Sequence, residues 1–281
     1  MMWSPDRRRS TQSSMSPPDL DMATGEVPGS DPLDGSDVGE ALVELMADRH
    51  ERLADPTNLF GDHLIAPETA EGAEWIARAR QGAWWTVGGL VPNELPQIVR
   101  VRAPHPDIGD WWSAYREVYE IVAAVGRRHT STPDRAWFGV WDGHGFPNAA
   151  RLIARQGPLG DNSRHALDDA QERLRAEDER RNEAIARALS AVPRFQLPGR
   201  AYYLLTGPVA AVSELRYPGL SGDWRNPDLF WPDDRRWFVA TDVDFWSLYI
   251  GGDHDFAAEL AGNVATRTEI VTLDRQLGIE T

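Results

Sequence analysis

Apolar positions along the chain repeat with two periods, near 3.6 and near 2, and the changes between them mark the expected elements. Ala41, Leu42, Leu45 and Met46 stand at helical spacing, and Leu53 precedes an Asp55-Pro56 stop. They predict an amphipathic helix beginning after Asp37. A second, short helix is predicted over 74–80. Residues 84–87 and 98–101 then have the aromatic and β-branched content of strands, joined by a Gly-, Pro- and Asn-containing connection typical of a hairpin or wide turn. Asp110 can cap a helix whose apolar face carries Trp111, Tyr115, Val118, Val122 and Val125. Alternation returns over 137–141, with Trp137, Gly139 and Trp141 on one side and Phe138 and Val140 on the other.

A charged helix is predicted over 165–192. Asp169 and Arg173, Glu177 and Arg181, and Glu183 and Arg187 are acid-before-base pairs four apart. Leu167, Ala170 and Leu174 give its first half an apolar stripe, and Ile185, Leu189 and Val192 give one to its last, while 175–183 has none. Its middle is expected in solvent, as a connector. From 200 onward the pattern predicts strands at 200–206, 236–241, 247–250 and 268–273. Between them lie a helix after Pro208 carrying Val209, Val212 and Leu215, and another capped by Asp253 with Phe256 and Leu260 on one face. The order β-α-β-β-α-β resembles a ferredoxin-like unit.

These elements predict an α+β protein with a mixed sheet and covering helices. Residues 1–36 are Pro-, Ser-, Gly- and Asp-rich with almost no large apolar residue after Trp3, which predicts a disordered tail. Residues 37–281 are expected to form a single domain, with a sub-division at the connector helix near 160–193. The Pro-, Gly- and Trp-rich stretch 217–235 is long for a connection, and Trp224, Phe230 and Trp231 mark it as an aromatic plug over the core or a binding loop.

Composition narrows the chemistry. The chain has no cysteine, and all 29 of its basic residues are arginine. Thiolate chemistry, Schiff-base chemistry and P-loop or kinase-type lysines are therefore excluded. The net charge of −15 disfavours nucleic acid and anionic lipid and favours basic proteins, cations or neutral small molecules as partners. No apolar run is long enough to span a bilayer, and Arg7, Arg8 and Arg9 are followed by polar residues rather than a signal-peptide core. A cytoplasmic location is the expectation.

Carboxylate, histidine and arginine remain as reactive or binding groups, and they cluster at two strand ends and one loop. Asp242 and Asp244 are two apart on a predicted strand, so both leave one face and could bind a cation or split their pKa values. Trp141 and His144 end another strand beside flexible glycines. Trp231, Asp234 and Arg235 belong to the aromatic loop, Arg200 opens a strand, and Tyr249 lies on the next. The pattern assigns no metal site and no cofactor, since nucleotide, serine-hydrolase, zinc-protease and EF-hand motifs are missing.

Three segments carry a resemblance: Trp137-Phe138-Gly139-Val140-Trp141-Asp142-Gly143-His144-Gly145, Leu197-Pro198-Gly199-Arg200-Ala201-Tyr202-Tyr203-Leu204-Leu205, and 226–244 with Trp231-Pro232-Asp233-Asp234-Arg235-Arg236-Trp237 at its centre. With Tyr249-Ile250-Gly251-Gly252, they make residues 84–273 resemble a family of bacterial cytosolic proteins that brings no assigned activity. Leu248 stands where that family's pattern has a small hydroxylated residue.

Three functional expectations follow, and the sequence leaves open whether the protein is an enzyme. The first is a non-enzymatic binding protein, similar to the immunity proteins that neutralise toxins, recognising a basic partner through aromatic and acidic groups. The second is a metal-assisted or acid–base enzyme centred on Asp242 and Asp244. The third is a small-molecule site in which arginine orients an anion and tryptophan supplies stacking area.

Overall fold

Eight strands form one sheet in the computed structural model, which describes residues 60–102, 111–144, 161–216, 224–242, 247–263 and 268–277. They are β1 (Gln97–Arg102), β2 (Ala136–Trp141), β3 (Arg194–Leu197), β4 (Arg200–Gly207), β5 (Leu229–Pro232), β6 (Phe238–Ala240), β7 (Ser247–Gly252) and β8 (Thr268–Val271). The sheet order is β3-β4-β2-β5-β6-β7-β1-β8. Every pairing is antiparallel, so the α+β class stands and the expected mixed sheet is corrected.

Because side chains alternate along a strand, each face of the sheet collects its own core. Val99 and Val101, Phe138 and Val140, Phe230, Val239, Leu248 and Ile250 meet helices α3 (Trp111–Gly126) and α5 (His254–Asn263) and the 3-10 helix Val209–Glu214. On the opposite face Trp137, Tyr202, Leu204, Leu229, Trp231, Phe238 and Tyr249 meet α1 (Glu74–Ala79) and α2 (Val87–Leu90). The long helix α4 (Asp161–Ser190) contributes Ile185 and Leu189 near its end to the first core, whereas Glu172, Arg173, Arg175, Ala176, Glu179 and Arg180 are exposed, as its sequence requires.

The expected helices at 74–80, 111–125 and 254 onward are present. The cap at Asp253 is made: its Oδ1 accepts the Phe256 N–H at 2.8 Å. The turn after Pro208 is 3-10 rather than α, but it buries Val209, Val212 and Leu215 as expected.

Two predicted elements are corrected. Residues 84–87 are not a strand: Trp84 and Trp85 occupy a turn and Val87 opens α2, so β1 pairs with β7 and β8 instead of forming a hairpin with 84–87. The ferredoxin-like order also fails. The stretch taken as a loop contains β5, and β2 and β1 insert among the C-terminal strands. Four residues bounded by Pro227 and Pro232 carry little local strand signal; their ladder is completed by β2, about ninety residues earlier. The tail, the helix after Asp37, Asp110 as a cap and the first-half stripe of α4 lie outside the described residues or side chains.

Candidate functional site

At one end of the sheet, on the face covered by α1, three of the candidate side chains converge. Trp141 ends β2, Arg200 opens β4, and Asp242 follows β6. The Arg200 Cζ lies 4.6 Å from the centroid of the Trp141 ring. Its Nη2 donates to Asp242 Oδ1 at 2.7 Å, and both side chains are largely buried. Ring and carboxylate together hold the guanidinium by cation–π attraction and a charge-assisted hydrogen bond. Beneath them Asp228, 2% exposed, accepts the Trp141 backbone N–H at 2.8 Å, so a buried carboxylate fixes the end of β2.

Two further groups complete the cluster. Tyr202, on β4, stacks on Phe195 with ring centroids 5.3 Å apart, and burial pushes its hydroxyl up to about 12. Arg80, just after α1, is driven down to about 10 by burial, with nearby Tyr202 and Asp242 pulling the other way. At neutral pH the first remains a hydroxyl and the second a cation. Sequence reasoning missed Arg80. Its signal was there: Ile76 and Arg80 are four apart on one helix stripe, and an arginine interrupts what is otherwise an apolar face.

The other candidates lie elsewhere. Asp234 and Arg235 form the β5–β6 turn at the far end of the strands. There Asp234 Oδ2 accepts the Ser131 backbone N–H at 2.6 Å and the Ser131 hydroxyl at 2.8 Å. Arg235 takes a positive φ of 59° and places its Cζ 5.2 Å from the Trp75 ring. Trp231 is wholly buried, stacked on Phe238 at 5.6 Å, so it is a core residue and no ligand platform. Tyr249, 2% exposed, faces Arg100 across the β1–β7 ladder, and burial raises its hydroxyl above the ordinary value. Ser247, beside Leu248, supplies the hydroxyl that Arg100 Nε reaches at 3.1 Å. His144 closes the 3-10 turn Asp142–His144, its side chain outside those described; Asp244 lies outside the described residues.

Arg200 therefore already occupies Asp242, and among the described residues no three histidine or carboxylate side chains meet as a metal ion requires. The cluster can recognise charge and shape.

A separate surface feature stands out on the turn between α1 and α2. Trp84 is 76% exposed and Trp85 49%, with their rings edge-to-face at 5.5 Å. The backbone beneath them is tied down by Gly82 N–H to Gly88 O, Thr86 N–H to Ala83 O and Leu277 N–H to Trp85 O, at 3.1, 2.9 and 2.8 Å. The Thr86 hydroxyl adds a bond to Ala83 O at 2.8 Å.

No described helix is long and apolar enough to cross a membrane. Comparison with family models, with curated proteins and with solved structures finds no match for the chain, so function rests on these two features.

Proposed function

We propose that this chain is a non-enzymatic, cytoplasmic binding protein, immunity-protein-like in kind, that docks a basic protein partner through Trp84 and Trp85. One observation carries the reading: two large apolar rings stand in solvent on a backbone turn that four hydrogen bonds hold in one conformation. A rigid, exposed tryptophan pair loses little entropy on association, and tryptophan is enriched among residues that dominate interface energy. Covering both rings removes roughly 200–300 Å² of apolar surface from water, about 5–8 kcal/mol before association costs. The net charge of −15 supplies long-range attraction to a basic partner and repels nucleic acid. Arg200's hold on Asp242 weighs against the alternative of an acid–base or metal-assisted enzyme at that strand end.

The test is retention of host proteins on the immobilised chain, native against Trp84→Ala/Trp85→Ala, at low and high salt. The expected result is a basic protein held by the native chain at low salt, released by salt and not held by the double variant. A native chain that retains no protein partner at low salt, or a variant that retains it equally, overturns the reading.

A further inference from the structure

We propose that Arg80 anchors a binding site for a small monocarboxylate at the Trp141 end of the sheet. Its Nε is buried with no hydrogen-bond acceptor, and among the described residues its guanidinium makes no hydrogen bond and no ion pair. A guanidinium taken largely out of water is normally paired, because its desolvation is otherwise uncompensated. Arg200, a neighbour in the same cluster, shows the paired condition, with Asp242 at 2.7 Å and Trp141 beneath it. Arg80 has the setting of a binding arginine and lacks the partner. The residue as a whole is part-buried rather than sealed.

Arg200 is engaged by Asp242, which leaves Arg80 as the guanidinium of this cluster without a partner among the described residues, and one guanidinium matches one carboxylate. The planar fork of a guanidinium pairs with a carboxylate through two parallel N–H···O bonds. A phosphate dianion would need more donors than Arg80 supplies and would meet the nearby Asp242 carboxylate, whose field Arg80 feels. Tyr202, which stays protonated, is the adjacent hydroxyl able to donate to the same anion.

Acetate and benzoate are the probes, inorganic phosphate the comparison and Arg80→Met the variant, chosen to keep the apolar stem. Titration of either carboxylate is expected to shift the Arg80 Nε–H resonance of the native protein, assigned by its loss in the variant. At ~10-fold excess over its Kd the carboxylate should raise Tm by about 3 °C. The variant should show no rise in Tm with carboxylate, and without ligand it should unfold at or above the native temperature, since an uncompensated cation has been removed. The proposal is overturned if neither carboxylate moves the resonance, if the variant's Tm responds as the native protein's does, if the variant is less stable than native, or if phosphate alone binds.

Discussion

The indole Nε1 of Trp237 donates to the carbonyl of Gly126 at 3.0 Å, and a Cβ built on Gly126 would stand 2.6 Å from the same ring. The end of α3 thus touches the sheet where only a hydrogen fits, with Trp237 wholly buried between α3 and Phe230. Gly126→Ala must push either the helix or the ring aside. Overpacking of this kind costs about 2 kcal/mol, to be measured as a lower urea midpoint with unchanged slope. A loss under about 0.5 kcal/mol would show that the helix end yields freely.

Asp234 should make stability depend on acid. Burial alone would raise its pKa, but hydrogen bonds from Ser131, Thr130 and Arg236 outweigh that and hold it below the ordinary value. A carboxyl depressed in the folded state stabilises fully above its unfolded pKa of about 3.9, and the contribution disappears as pH falls through the folded value. Asp234→Ala is therefore expected to cost about 1–2 kcal/mol at neutral pH, with native and variant converging as pH falls through the folded value. Parallel thermal melts across pH check it; a gap that persists in acid would assign the loss to packing.

His63 has the opposite sign. Its Nδ1 lies 2.8 Å from Glu214 Oε2, and hydrogen bonding to Glu214, then its charge, raises the imidazole above 6.5. A base raised in the folded state stabilises fully below its unfolded pKa and loses that contribution as pH rises through the folded value. Proton NMR should give a His63 midpoint above 6.5 that drops in Glu214→Gln. An unchanged midpoint in the variant would remove Glu214 as the cause.

Trp75 in α1 and Trp84 in the turn that follows it should behave oppositely. Trp84→Ala deletes an exposed ring and is expected to change stability by less than about 0.5 kcal/mol. Trp75→Ala, with the ring 4% exposed and edge-on to Trp231 and Phe238, should cost about 3–5 kcal/mol. Urea unfolding of both variants separates them, and a large loss from Trp84→Ala would make that ring part of the fold and unavailable as an anchor.

Much of the sheet was legible because 137–141 alternates with period 2 and 98–101 is rich in β-branched residues, and α3 and α5 because their apolar residues fall on one stripe. Trp84 and Trp85 misled because aromatic content signals a strand only when the rings have a sheet to pack on, and these have solvent. β5 was hidden by its prolines and by a partner strand far away in sequence. In the site, Trp141, Arg200 and Asp242 came from separate strand ends that only the sheet order brings together. Trp231, read as part of an aromatic plug or a binding loop, is core because 229–232 is a strand. Arg80 was visible only as a flaw in a short helix stripe, and no local pattern distinguishes such a flaw from a surface position.

The place of β1 between β7 and β8 has a consequence for synthesis. Gln97 pairs with Gly252 and Ile98 with Val271, so both edges of an early strand wait for partners roughly 150 to 175 residues downstream. While the chain is being made, β1 carries Ile98, Val99 and Val101 without the strands that flank it in the sheet. Such long-range pairing makes folding slow and exposes the growing chain to self-association. Until the last strands emerge, β1 has neither of its sheet neighbours.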